Sequence, residues 1–320
     1  MEAPSIELSI VLPIYNEREN IRPLFVRLHS VLDAMGYDYE IVAVDDGSTD
    51  GSNDELRAIA SEDPYTRVVF FRMNVGQTAA LAAGIEHARG QIIVMIDSDL
   101  ENDPADIPRL LEKLDEGYDV VSGWRKDRWS DAWITRRLPS TTANWLISRL
   151  SGVPLHDYGC TLKAYRADVI KNVRLYGEMH RFIPAYAAWQ GGRVGEIPVS
   201  HTPRVYGTSK YGFGRMPRVL LDLVVIMFLR RYMNRPMHFF GGWGLLSLTG
   251  GFLAALAAVM LRVLGIKHFV ETPLPILAAL FIIVGIQFIL FGVIAEILMR
   301  TYYESQDRRP YMIKEVIESE

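Results

Sequence analysis

The stretch "MIDSDLEND" (95–103) places four carboxylates within nine residues, directly behind an apolar run. Asp97 and Asp99 are separated by one residue. In a fully extended chain their side chains point to opposite faces, but at a strand-to-loop bend they converge. Converging carboxylates are hard oxygen ligands that suit Mg2+ or Mn2+ shared with the phosphates of a substrate. A solvated acidic loop would have the same composition, and this cluster alone does not decide between the two. "DDGSTDGS" (45–52) is equally ambiguous, because a tight turn selects Asp, Gly and Ser for its own reasons.

Several chemistries are excluded. The seven histidines show no paired ligand spacing, which leaves a zinc site without support. No GxGxxG follows the first apolar strand and no GxxxxGK[ST] loop exists, so dinucleotide and P-loop readings fail. A net charge of −4 offers no global basic field for nucleic acid. The single cysteine, Cys160, rules out an internal disulfide framework and fits a reducing compartment. The first residues lack a basic region followed by a long apolar one, so no cleavable signal is expected.

The elements that must carry these motifs alternate. Strand patterns at 6–14, 39–46, 67–73, 91–97 and 118–124 are separated by helical spacing at 20–35, 54–62, 78–88 and 104–114. Nearly continuous apolar strands between helices predict an α/β domain with a mostly parallel sheet covered on both faces. In such sheets ligands bind beyond the carboxyl ends of the strands. The motifs sit at those ends: "YNE" after the first strand, "DDGSTDGS" after the second and "DSDLE" after the fourth.

Beyond residue 212 the composition changes. Residues 239–261 and 273–299 form two long apolar runs, the second carrying a single charge, Glu296, near its end. The first would be a helix of about 34 Å at roughly 1.5 Å per residue, against a hydrocarbon core of about 30 Å. The short linker "RVLGIKHFVETP" makes the pair a hairpin, so the chain is expected to be an integral membrane protein in a lipid bilayer. Arg215, Arg218, Arg230, Arg231 and Arg235 precede the hairpin, and Arg300, Arg308, Arg309 and Lys314 follow it. Only Arg262 and Lys267 lie in the linker, so both termini and the large domain are expected to be cytoplasmic. The segment 213–238 carries an apolar stretch too short to span, with arginines at both ends, and reads as a helix lying in the interface. Glu296, four residues before Arg300, reads as an ion-pair partner. The organisation is then a 1–212 α/β domain, a 213–238 interfacial region, a 239–299 hairpin and a 300–320 tail.

The order of the motifs is more specific than any one of them. "PIYNE", "DDGSTDGS", "NVGQTAALAAGIEHARG", "DSDLEND" and "GWR" follow one another where strands end or helices begin. This series resembles the family-2 glycosyltransferases of GT-A fold. With the hairpin it resembles their polyprenyl-phosphate branch, the dolichyl-phosphate mannose synthases and bacterial undecaprenyl-phosphate glycosyltransferases. The resemblance spans essentially the whole chain. It implies inverting transfer of a hexose-type sugar from a nucleotide-diphosphate sugar to a polyprenyl phosphate, undecaprenyl or dolichyl, with Mg2+ or Mn2+ as cofactor.

By the same resemblance, Pro13, Tyr15, Glu17, Asp46 and Asp97 would hold the donor, with Asp46 accepting from a ring N–H of the base. Asp99, Glu101 and Asp97 would hold the metal; relatives often carry Gln where Glu101 stands. Asp103 and Glu112 read as helix N-terminal or surface acids. Arg125, Arg136, Ser140, Arg204 and Lys210 would surround the acceptor phosphate, the last two within the RxxGxSK-like "RVYGTSK". Asp99, Arg125, Asp157 and Lys210 are the residues implied in catalysis. Bacterial relatives imply a homo-oligomer, a tetramer, with glycines at 241, 242, 244, 250 and 251 allowing close helix approach. Two other readings are a processive polysaccharide synthase, for which neither a QxxRW segment nor extra spans are visible, and a membrane-anchored scaffold without activity.

Overall fold

The computed structural model describes residues 6–126, 138–173, 179–203, 228, 232 and 235–305. The chain falls into two compact units, Met1–Leu223 and Val224–Glu320. Arg136, Arg204, Lys210 and most of the expected interfacial segment lie outside the described residues, as do the side chain of Arg300 and the tail beyond residue 305.

The first unit is built on a seven-stranded sheet of order β3-β2-β1-β4-β6-β5-β7. β1 (Leu8–Ile14) pairs in parallel with β2 (Tyr39–Asp45) and with β4 (Ile92–Met95). β3 (Thr66–Phe70) extends β2 in parallel, and β5 (Val120–Trp124) pairs in parallel with β7 (Val194–Pro198). Between β4 and β5 lies the short β6 (Lys163–Arg166), antiparallel to both. The expected α/β sheet is therefore present, with one reversed strand in its interior. "KAYR" is only four residues long, and its polar ends hide a strand from any periodicity argument.

Every residue of β1 and β2 is buried, because helices cover both faces. Ile10, Leu12, Ile41 and Ala43 face a core shared with α1 (Arg18–Met35), α2 (Ser52–Glu62) and α4 (Ile107–Asp115). Val11, Val42, Ile93, Met95 and Tyr165 face the opposite core with α3 (Gln77–His87), α6 (Ala167–Ile170) and α7 (Ile183–Trp189). α1 buries Ile21, Leu24, Phe25, Leu28 and Leu32 at helical spacing and stops at Gly36, whose φ of 72° is the left-handed cap a helix end favours. β4 ends two residues before Asp97, earlier than the apolar run suggests, because the chain bends there and Leu100 takes a φ of 61°. α5 (Leu138–Ser151) has Ser140 in its first turn.

The second unit contains α8 (Pro236–Val263) and α9 (Leu274–Ser305), both long and apolar enough to cross a membrane. Leu246, Phe252, Leu253, Ile276 and Ile283 are exposed, as lipid-facing side chains would be. The two helices pack on each other through backbone. A Cβ at Gly244 would lie 2.9 Å from the Gly285 carbonyl oxygen, and one at Gly251 would lie 3.0 Å from that of Ala278. Ser247 Oγ donates to the Phe281 carbonyl at 2.8 Å. Gly242 and Gly250 have no such neighbour within 4 Å.

The hairpin thus separates its glycines into two groups. Gly244→Leu should force the helices apart and cost roughly 1–3 kcal/mol, an overpacking penalty. Gly242→Leu should be tolerated. Thermal unfolding in mild detergent compares them, and equal melting temperatures for the two variants would refute the assignment.

Candidate functional site

The site gathers at the carboxyl ends of β1, β2, β4 and β5. After β1 the chain turns through Tyr15 and Asn16, the latter at φ 53°. The Asn16 amide donates to Ser48 Oγ at 2.9 Å, and Thr49 N donates to Asn16 Oδ1 at 2.8 Å. Glu17 is buried, accepts from Asn20 Nδ2 at 2.6 Å, and has its own amide bonded to Ser52 Oγ at 3.1 Å. The loops after β1 and β2 are thereby laced into one surface on which Pro13, Tyr15 and Glu17 stand close to "DDGS".

Asp46 is buried at the end of β2. Its Oδ1 accepts from Val75 N at 2.7 Å. Its Oδ2 accepts from Gly76 N and from Asn74 Nδ2, both at 2.9 Å. Asp46, assigned to base recognition from sequence, therefore spends both oxygens on the turn that enters α3, and an incoming base N–H would have to share them. Gly47, at φ 69°, lies so close that a Cβ there would meet Asn74 N at 2.6 Å. Both the left-handed backbone and the lack of space require glycine.

Asp97 and Asp99 follow β4. Gln77 Nε2, in the first turn of α3, donates to Asp97 Oδ1 at 2.8 Å, and the Thr161 side chain also hydrogen-bonds Asp97. Desolvation, reinforced by Asp99 and more weakly by Glu101, pushes the Asp97 carboxyl up to about 7. The like charges are therefore near enough to oppose one another. Asp99 Oδ1 accepts from Glu101 N at 3.1 Å, closing a small turn around the strained Leu100. The Glu101 carbonyl accepts from Thr202 N at 3.0 Å, and Asn102 bridges to His201, so the acidic loop is also fixed from the far side. Asp103 accepts from Ala105 N at 3.0 Å, the helix-start role expected for it. Glu112 is exposed on α4.

Among the described residues, no three His, Cys, Asp or Glu side chains are gathered to hold a metal ion. A pair of carboxylates with no nitrogen or sulfur donor nevertheless fits Mg2+ or Mn2+, which take one or two carboxylates and leave other positions for water and phosphate. Asp97 and Asp99 are the residues that would hold such an ion.

Arg125 closes the other side. It is buried at the end of β5 and bound in two places by Asp157: Nε to Oδ2 at 2.8 Å and Nη2 to Oδ1 at 3.2 Å. Burial works against the charge, yet Asp157 and, more weakly, Cys160 and Asp97 outweigh it and hold the guanidinium above its ordinary value. The pair uses one edge of the guanidinium fork and leaves the Nη1 edge unengaged by Asp157. Asp157 also accepts from Gly159 N at 2.9 Å, and its amide donates to Glu196 Oε1 at 3.1 Å. Asp157, assigned to catalysis from sequence, is thus the partner that holds Arg125.

Sequence reasoning missed Gln77, Thr161, Lys163, His180 and Glu196. Lys163 is buried on β6, and its Nζ donates to the Tyr158 carbonyl at 3.2 Å. Burial lowers its pKa to about 8, against attraction from Cys160 and Asp157. His180 is buried beside it, shares a 2.7 Å hydrogen bond with Thr78, and is pushed down to about 3 by burial, with Arg181 and Lys163 adding to the effect. A lysine between Leu162 and Ala164 in an otherwise apolar stretch was the available signal.

The match to known proteins agrees with this geometry. Residues 9–174 match the model of "Glycosyl transferase family 2". The chain is 42% identical to the dodecaprenyl-phosphate galacturonate synthase of Rhizobium johnstonii, over 99% of this chain and 94% of that one. It is 40% identical to the undecaprenyl-phosphate 4-deoxy-4-formamido-L-arabinose transferase of Edwardsiella ictaluri, over 97% of this chain and 94% of that one. Among solved structures it is similar in fold to glucosyl-3-phosphoglycerate synthase from Mycobacterium tuberculosis in complex with Mn2+ and UDP-glucose. That likeness has a TM-score of 0.54 at 20% identity, covering 70% of this chain and 78% of the other.

The buried lysine has a consequence for stability. An unfolded lysine keeps its proton to about 10.5, whereas Lys163 in the fold releases it near 8. Between those values the unfolded state binds more protons, so this group's contribution to stability rises with pH. Lys163→Met should therefore stabilise the protein at pH 7, and its advantage should shrink as pH climbs from 8 to 10. Chemical denaturation of both proteins across that range measures it, and a constant difference would contradict the assignment.

Proposed function

The chain belongs to glycosyl transferase family 2, and from that premise we propose that it transfers a hexose-type sugar from a nucleotide-diphosphate sugar to a polyprenyl monophosphate, undecaprenyl or dolichyl, with inversion at the anomeric carbon. The chain is a glycosyltransferase with two apolar helices long enough to span a membrane. The observation that carries the finer reading is the end-to-end likeness to two enzymes whose names specify polyprenyl-phosphate acceptors. The Asp97–Asp99 pair after β4 and Arg125 at the end of β5 support the reading.

A lipid monophosphate has a second pKa of about 6 and is largely dianionic at neutral pH, so no general base is required to make it nucleophilic. The task is positioning and charge control. Pro13, Tyr15 and Glu17 would bound the donor nucleotide. A divalent ion held by Asp97 and Asp99, with Glu101 beside them, would offset charge on the leaving diphosphate. Arg125, presented by Asp157, would offer its Nη1 edge to the acceptor phosphate and reduce the repulsion between two anionic substrates. Ser140, at the start of α5, and Arg136, Arg204 and Lys210 complete the proposed acceptor side. The large domain and both termini would be cytoplasmic, with the lipid headgroup delivered at the membrane surface. A homo-oligomer, a tetramer by resemblance, is part of the same reading.

The test is metal-dependent transfer of radiolabelled sugar into organic-extractable lipid, run with UDP- and GDP-sugars against undecaprenyl and dolichyl phosphate. One labelled sugar per lipid is expected; polymer, or donor binding without transfer, would overturn the reading. Asp99→Asn keeps the side chain's shape but removes its charge, and should lower transfer by orders of magnitude, at about 1.4 kcal/mol per tenfold. Parent-like rates at every metal concentration would remove Asp99 from the site.

Topology has its own measurement. Cysteine introduced at Lys267 should react with an impermeant reagent outside intact cells, and cysteine at Ser305 only after lysis. The reverse pattern would invert the orientation.

A further inference from the structure

We infer that Gln77 is a positioning residue for Asp97 and that Asp46 acts through the turn 74–76 to hold Gln77 in place. The inference rests on the glycosyl-transfer reading and assigns residues to it that the motif comparison leaves without this role.

Asp97 stands beyond the last paired residue of β4, beside Asp99 and Glu101, whose charges oppose its own. A carboxylate there is pushed to turn away from its neighbours unless donors fix it. Gln77 supplies one donor, at 2.8 Å from Oδ1, from the α3 side of the sheet. Thr161 supplies another from the loop before β6. A carboxamide suits this role because it orients the carboxylate without cancelling the negative charge that a cation requires. A lysine or arginine in its place would neutralise that charge.

Gln77 is in turn fixed by what precedes and follows it. Asp46 takes the amides of Val75 and Gly76 and the side chain of Asn74, so the residues immediately before Gln77 are bound to the end of β2. Gly47 packs against the same turn with no room for a side chain, which leaves the turn no slack. The next residue, Thr78, is bonded to the buried His180. Three consecutive attachments thus set the first turn of α3, and Gln77 is the side chain that carries this setting to Asp97.

The experiment uses the full-length protein in detergent or nanodiscs. Gln77→Met keeps length and loses the donor; Gln77→Glu adds a repelling carboxylate; Asp46→Asn breaks the turn's attachment. Asn74→Ala removes one contact of that attachment and serves if Asp46→Asn fails to fold. Each is measured for donor KM, acceptor KM and kcat, for binding of UDP and of GDP with Mn2+, and for thermal unfolding. Gln77→Met should raise donor KM about tenfold, the loss expected for a hydrogen bond to a charged group, and leave acceptor KM unchanged. Gln77→Glu should raise it further, and the turn variants should move it in the same direction. Gln77→Met with a parent-like donor KM, or with donor and acceptor KM rising together, would overturn the inference. A parent protein that transfers nothing would instead overturn the function proposed above, while its nucleotide binding would still report on Gln77.

Discussion

The dominant constraint in this molecule is the cost of crowding negative charge. Asp97, Asp99 and Glu101 lie within five residues at the end of one strand, and Asp97 is partly desolvated by the fold around it. Such an arrangement is unfavourable in isolation. The surrounding structure offsets it with hydrogen-bond donors from three directions: Gln77 from α3, Thr161 from the loop before β6, and the Glu101 amide from the acidic turn itself. Buried cations stand behind them, with Arg125 paired to Asp157 and Lys163 set under the Tyr158 carbonyl. The site is an anionic pair held in a frame of hydrogen-bond donors and buried cations.

The reversed strand β6 makes this possible. A wholly parallel sheet would bring only strand ends to that edge. By running antiparallel between β4 and β5, β6 starts at the same edge where its neighbours finish. The residues that lead into it, Asp157 to Thr161, therefore arrive beside Asp97 and Arg125, and Lys163 enters the sheet opposite Met95.

The fold's main lines were legible because buried parallel strands leave an unmistakable apolar record, as at β1 and β2. The hairpin was legible for the same reason. The acidic pair could be found because its residue types and its position after a strand both point to a site. β6 could not be found, because four residues with lysine and arginine at their ends carry no period. Nor could the partners of Asp46 and Asp157 be inferred. The bonds from Asp46 to residues 74–76 and from Asp157 to Arg125 span 28 to 32 residues of chain, and only the assembled sheet brings them into reach. The residues that orient the site are harder to read than those that face it, since they need only a donor at the right place and many residue types supply one.

The turn entering α3 separates what is constrained from what is not. Val75 gives its amide to a buried carboxylate while its side chain is 61% exposed, and Met73 nearby is 68% exposed. The geometry of this turn is encoded in main-chain groups that every residue but proline possesses, in the side chain of Asn74, and in Gly76, whose φ of 112° favours glycine. Positions 73 and 75 are therefore open to drift over generations without loosening the turn, whereas Gly47 and Asp46, on the opposing loop, are not. Descendants of one ancestor could alter these two exposed side chains while inheriting an unchanged turn.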